Sequence, residues 1–140
     1  MCGICGYIGN GNPATLEAMS AALIHRGPDD AGFFTSGEVG LAHRRLSVID
    51  LSPSGHQPMR SPEGDVLVFN GEIYNFQEIR RELEGLGHAF SSRSDTEVIL
   101  RAWRQWGEAC LQRFRGMFAF ALWDAARREL FIARDRVGIK

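Results

Sequence analysis

Residues 116–123, Gly-Met-Phe-Ala-Phe-Ala-Leu-Trp, make a near-continuous apolar run, and Leu130-Phe131-Ile132-Ala133 answers it across the polar residues 124–128. Two such runs joined by a short polar segment read as a hairpin, and the lack of apolar-polar alternation predicts burial on both faces. Each face then needs a cover. Asn75 is positioned to cap a helix with Phe76, Ile79, Leu83 and Leu86 along one side, and Glu78 completes a capping box. A second capping box, Ser94-Asp95-Thr96-Glu97, opens a helix that turns Ile99, Ala102, Trp103 and Trp106 inward. Asn12-Pro13 starts a third helix, carrying Leu16, Met19 and Leu23, which should stop at Gly27-Pro28. Further strands are expected over residues 2–9, 31–35, 39–43 and 65–69. Residues 52–64, rich in Ser, Pro and Gly, read as a long loop of the kind that usually carries function in a compact domain.

A chain of 140 residues supports one domain, residues 1–140, around a single core. Charged residues at 24% and a net charge of −1 argue against a polyanion partner, so nucleic acid is excluded. No apolar run approaches the roughly 20 residues of a membrane span, and no basic segment precedes an apolar one at the start; a cytoplasmic protein without membrane association is expected. Three cysteines, Cys2, Cys5 and Cys110, are odd in number and suit free thiols. Cys2 and Cys5, three apart on a strand, face opposite ways. His25, His43, His56 and His88 lack the spacing of a zinc site, and no metal is expected. Residues 134–140 end without a helix stop or a polar tail, so the domain is expected to be incomplete at its C-terminal end.

Cys2 is followed by Gly3, and removal of Met1 would place a thiol and a free α-amine on one residue. An α-amine with a reference pKa of about 7.7 to 8.0 is partly neutral near neutrality and can accept the thiol proton. Nucleophilic attack would then need no distant histidine, and His25 and His43 read as structural. Taken alone, Asn70-Gly71 is a type I′ turn signal, Arg45 an exposed strand cation, and Asp95 a favourable anion in the first turn of a helix.

Seven blocks stand in order along the chain: Met1-Cys2-Gly3-Ile4-Cys5-Gly6; His25-Arg26-Gly27-Pro28-Asp29-Asp30; Leu41-Ala42-His43-Arg44-Arg45-Leu46-Ser47-Val48-Ile49-Asp50; Gly55-His56-Gln57-Pro58-Met59; Phe69-Asn70-Gly71-Glu72-Ile73-Tyr74-Asn75; Ser94-Asp95-Thr96-Glu97; and Arg134-Asp135-Arg136-Val137-Gly138-Ile139-Lys140. Together they resemble the N-terminal glutaminase domain of glutamine-hydrolysing asparagine synthetases, a class II glutamine amidotransferase. The resemblance implies an α+β fold of the N-terminal-nucleophile hydrolase type, an αββα sandwich of two antiparallel sheets between helical layers.

It also implies roles. Cys2 would attack the side-chain amide of glutamine and form a γ-glutamyl thioester. Asn70 and Gly71 would form the oxyanion hole, through a side-chain amide and a main-chain N–H. Arg45 would grip the substrate α-carboxylate, Asp95 with Glu72 would hold its α-ammonium, and Leu46, Ser47, Val48 and Ile49 would lend main-chain groups. The domain itself would need no cofactor; ATP and magnesium would serve a C-terminal synthetase domain that makes asparagine from aspartate. A glutaminase serving another acceptor, in secondary metabolism or surface-polymer synthesis, fits the same blocks. A truncated, non-catalytic module that binds or dimerises as a homodimer, and a thiol redox role through Cys2 and Cys5, are the readings from other classes.

Overall fold

The computed structural model describes residues 2–46 and 55–140. In chain order they form β1 (Gly3–Ile8), α1 (Pro13–Ala22), a 3-10 turn (Ile24–Arg26), β2 (Asp30–Ser36), β3 (Val39–Arg45) and β4 (Met59–Arg60). There follow β5 (Val66–Ile73), α2 (Phe76–Gly85), α3 (Asp95–Trp106), a second 3-10 turn (Gly107–Gln112), β6 (Gly116–Asp124) and β7 (Glu129–Arg134). Among the described residues no helix is long and apolar enough to cross a membrane.

The strands form two antiparallel sheets, ordered β1-β3-β2 and β4-β5-β6-β7. Alternation along β5 decides the layering, because successive side chains leave opposite faces of a strand. Val66 and Val68 pack with Phe34, Val39 and Leu41 of the three-stranded sheet. Leu67 and Phe69 face the other way and join Ile79, Leu83, Ile99 and Trp103 from α2 and α3. Helix α1 covers the outside of the three-stranded sheet through β1 and β3, burying Leu16 and Ser20. The result is the expected αββα sandwich, with one apolar layer between the sheets and another beneath α2 and α3.

Several local expectations are corrected. The β6-β7 hairpin is not buried on both faces: Phe118, Phe120 and Leu122 are enclosed under the helices, but Met117, Ala119, Ala121 and Trp123 are only partly covered and Ile132 is 71% exposed. Three strands oppose four, and it is β5 that the β1 and β3 strands contact, so the outer part of the larger sheet keeps an open inner face. Asn75 does not cap α2 with its side chain. Its amide instead donates to the Arg113 carbonyl at 2.9 Å and accepts from the Arg115 N–H at 2.9 Å, tying the helix start to the segment before β6. Leu86 lies past the end of α2 and is exposed, and Trp106 is only partly buried.

At α3 only half of the capping box forms. Ser94 accepts from the Glu97 N–H at 3.3 Å, while the Glu97 carboxylate turns to Ser91 and Ser92. Helix α1 is capped by Asn12 as expected but stops at Ala22, where the chain tightens into the 3-10 turn before Gly27. Within residues 52–64, positions 52–54 lie outside the described residues, and Met59 and Arg60 pair with Leu67 and Val66 as β4 rather than forming loop.

Candidate active site

Cys2 stands immediately before β1, whose first residue pairs with Arg44 near the end of β3. That register brings the Cys2 sulfur to the main chain of Leu46, which donates its N–H to Sγ at 3.4 Å; the Leu46 carbonyl lies 3.6 Å from the same sulfur. Arg26 Nε donates to the Cys2 carbonyl at 3.1 Å and fixes the residue from the other side. Arg26 reaches it because the 3-10 turn presses on β3: a Cβ added at Gly27 would lie 2.4 Å from the Arg44 carbonyl carbon. This close approach gives the segment 25–30 a purpose that sequence reasoning did not find.

Arg45 ends β3 and is 9% exposed, not the exposed strand cation its type suggests. Its carbonyl accepts from the Asp29 N–H at 3.0 Å. Asn70 and Gly71 lie inside β5, opposite Ala119 and Phe118 of β6, so the turn that their pairing suggests does not form. Glycine is required at 71 by crowding, since a Cβ there would come 2.2 Å from the Met117 carbonyl oxygen. Next along β5, Glu72 is half-buried.

Asp95 is the first residue of α3 and is 4% exposed. Its Oδ2 accepts from the Ile73 N–H at 3.0 Å. Burial pushes its carboxyl up to about 6, nearby Glu72 adds to the rise, and N–H groups of Ile73, Asp95 and Thr96 oppose it. Among the described residues no cation lies within ion-pairing distance of Asp95. A buried carboxylate without a cation is an unfavourable arrangement that a cationic ligand would relieve.

Cys2, Arg45, Leu46, Asn70, Gly71, Glu72 and Asp95 line one cleft of about 260 Å³. Met1, Ser47, Val48 and Ile49 lie outside the described residues. The cleft combines a thiol, a buried guanidinium, a primary amide and two carboxylates in a space suited to a small zwitterion. Gln57, Thr96, Met117 and Lys140 also line it, and sequence reasoning gave none of them a role there. Gln57 and Thr96 lie within motifs whose side-chain partners come from distant parts of the chain, so no local pattern announced them.

Of the histidines, His43 is 1% exposed, and its Nε2 lies 3.1 Å from the Phe69 carbonyl, which can only accept. Burial pushes its pKa down to about 4, so the ring is neutral at physiological pH and the proton sits on Nε2. His25 is exposed on the 3-10 turn. His56 Nδ1 pairs with Asp30 Oδ2 at 2.6 Å, beside the strand glycine Gly32. Cys5 is a free thiol raised above its usual range by burial, and it lines the groove between the sheets rather than the cleft that holds Cys2. The two thiols therefore do not form a redox pair in this fold. Among the described residues no three His, Cys, Asp or Glu side chains gather as a metal site would require.

Comparison with known proteins is consistent in one direction. The glutamine amidotransferase domain family matches residues 1–140. The chain is 41% identical to asparagine synthetase [glutamine-hydrolyzing] 3 of Bacillus subtilis, covering 100% of this chain and 24% of that protein. It is 45% identical to a putative asparagine synthetase [glutamine-hydrolyzing] of Mycobacterium bovis, again over 100% of this chain and 24% of the relative. The chain thus spans about a quarter of the length of these curated relatives. Among solved structures, glutamine phosphoribosylpyrophosphate amidotransferase from B. subtilis superposes with a TM-score of 0.73 over 96% of this chain and 36% of that one, at 22% identity, a likeness of fold.

Proposed function

The chain belongs to the glutamine amidotransferase domain family, and from that premise we propose that its cleft hydrolyses the side-chain amide of glutamine to glutamate and ammonia through a thioester on Cys2. The observation that carries this reading is the convergence of Cys2, Arg45, the adjacent Asn70 and Gly71, and Asp95 on one small cleft from four separate stretches of chain. With Met1 removed, the α-amine of Cys2 takes the thiol proton, and the thiolate attacks the amide carbon. Negative charge moves to the amide oxygen, where the Asn70 side chain and the Gly71 N–H are the donors. The carbon–nitrogen bond breaks as the α-ammonium returns its proton to the leaving nitrogen, which departs as ammonia. Water, deprotonated by the same amine, then cleaves the thioester and releases glutamate.

Arg45 binds the substrate α-carboxylate, and Asp95 with Glu72 binds the α-ammonium. Leu46, Ser47, Val48 and Ile49 supply main-chain contacts. A guanidinium meets a carboxylate through two parallel hydrogen bonds that lysine cannot reproduce. Arg45→Lys is therefore expected to raise KM for glutamine about tenfold or more, with a smaller change in kcat. An unchanged KM would reduce Arg45 to scaffold.

Asp95 makes binding pH-dependent. Its carboxylate form receives the ammonium, and its pKa near 6 means that acidification below that value removes the charge. The ratio kcat/KM should fall by about tenfold per pH unit on the acid limb below 6. Because the folded pKa lies above the unfolded one, Asp95 favours the folded state below about pH 4 and loses that advantage as pH rises towards 6. Asp95→Asn should hence leave Tm at pH 7 no lower while abolishing the acid limb and raising KM; a clear drop in Tm with KM unchanged would assign Asp95 to the scaffold.

In this reading the domain requires no cofactor. The ammonia serves a C-terminal synthetase portion that uses ATP and magnesium to make asparagine from aspartate, as the names of the two synthetase relatives suggest. The protein acts in the cytoplasm, away from membranes and nucleic acid. Ammonia release from glutamine by the purified protein, compared with its release from asparagine, tests the substrate; equal rates or none would overturn it.

A further inference from the structure

Three parts of the cleft belong to different layers of the fold: Arg45 ends β3, Asn70 lies within β5, and Asp95 begins α3. One chain of buried polar bonds joins them. The Phe69 N–H, on the residue before Asn70, donates to Gln57 Oε1 at 2.7 Å. The other end of the same amide, Gln57 Nε2, donates to Oγ1 of Thr96, the residue after Asp95, at 3.4 Å. The Phe69 carbonyl accepts from His43 Nε2 at 3.1 Å, two residues before Arg45 on β3. A main-chain N–H can only donate, so the Gln57 carbonyl end must face Phe69 and its NH₂ must face Thr96.

We propose that Gln57 is a positioning residue that sets the spacing between the oxyanion donor Asn70 and the ammonium-binding Asp95, with His43 extending the link to the Arg45 strand. The inference rests on the reading of the cleft as a glutamine site. Strand order explains why a side chain holds this place. β4 pairs with β5 only at Val66 and Leu67, so the outward main-chain groups of Phe69 have lost their strand neighbour. Gln57 and His43 satisfy them instead. Gln57 is 6% exposed and His43 is 1% exposed, so neither group has bulk water as an alternative partner. Thr96 is itself only 4% exposed. A change at Gln57 therefore reaches Asn70 and Asp95 through the residues beside them.

The experiment compares the purified parent protein with Gln57→Leu and Thr96→Val. Alkylation by iodoacetamide is quantified on the Cys2 peptide by mass spectrometry, because Cys5 is also a free thiol, so that rates are expressed per reactive Cys2. Labelling of Cys2 by a diazoketone analogue of glutamine is followed by mass spectrometry. Gln57→Leu should lower kcat per titrated site by about 10- to 100-fold and raise KM, because both poles lose their common reference. Its labelling by the glutamine analogue should slow by a similar factor while iodoacetamide alkylation proceeds at the parent rate. Thr96→Val, which removes only the α3 arm, should raise KM by a larger factor than it lowers kcat. Gln57→Leu with parent kcat and KM per titrated site would show that the residue serves stability alone and overturn the inference. Should the parent react no faster with the glutamine analogue than with a diazoketone lacking the amino acid head, the glutamine reading falls first.

Discussion

Cys2→Ala is expected to reduce ammonia release from glutamine to the uncatalysed background while Tm stays within a few degrees of the parent. The sulfur is half-buried, and its partners among the described residues are the N–H and carbonyl of one residue, Leu46, so its removal opens little space and leaves no side chain without a partner. Alanine, like cysteine, is small enough at position 2 for Met1 to be trimmed, so the substitution separates loss of the thiol from failure of processing. The carbonyl of residue 2 is also retained, and with it the hydrogen bond from Arg26. The Arg26 bond and the pairing of β1 with β3 therefore persist in the variant, and only the contacts of the sulfur with Leu46 are lost. Residual turnover above background would mean that a different group attacks the amide.

The second large effect is expected at Asn70. Asn70→Ala should lower kcat by about 100- to 1,000-fold, the range typical for loss of one oxyanion donor, with KM changed much less. Asn70 is half-buried in the middle of β5, where alanine keeps the strand paired with Ala119 of β6. Gly71, proposed as the companion donor, offers no equivalent experiment. Its N–H belongs to the main chain, and any side chain there would strike the Met117 carbonyl and part β5 from β6. Activity lost at position 71 would report broken strand pairing as readily as lost chemistry. Circular dichroism and Tm close to those of the parent, alongside the fall in kcat, are the signature that identifies Asn70 as a donor to the transition state.

The layered fold was legible because it follows from periodicity. The apolar faces of α2 and α3 and the runs in β5 and β6 each demanded a cover, and an αββα sandwich supplies one for most of them. What sequence patterns could not supply was the ratio of the two sheets. Three strands against four leave Ile132 exposed, although its neighbours in sequence read as core. Side-chain hydrogen bonds were the other blind spot. Asn75 has the residue type of a cap, yet finds better partners in the main chain on either side of Phe114, nearly forty positions away.

The site divides in the same way. Cys2, Arg45, Asn70, Gly71, Glu72 and Asp95 were recognisable as members of ordered motifs, and the fold brings all six to one cleft. Their local readings nonetheless misled at two positions. Asn70-Gly71 looks like a turn but lies in mid-strand, and Arg45 looks like a surface cation but is buried. In both, tertiary packing overrides local propensity, as is expected where a strand carries a functional group. Arg26, Gln57 and His43 were not assigned functions because each acts on the main chain of a distant residue. Such bonds depend on the finished sheets and leave no trace in spacing.

The central claim is that the sulfur of a processed first residue carries the acyl group of glutamine. It is tested most directly by mixing the purified protein with glutamine, quenching in acid within the first turnovers, and locating any adduct by peptide mass spectrometry. The account predicts a peptide that begins at Cys2, lacks Met1, and bears a γ-glutamyl group on sulfur that disappears as ammonia release is completed. Steady ammonia release from protein that retains Met1, or turnover with the acyl group on any other residue, would contradict it.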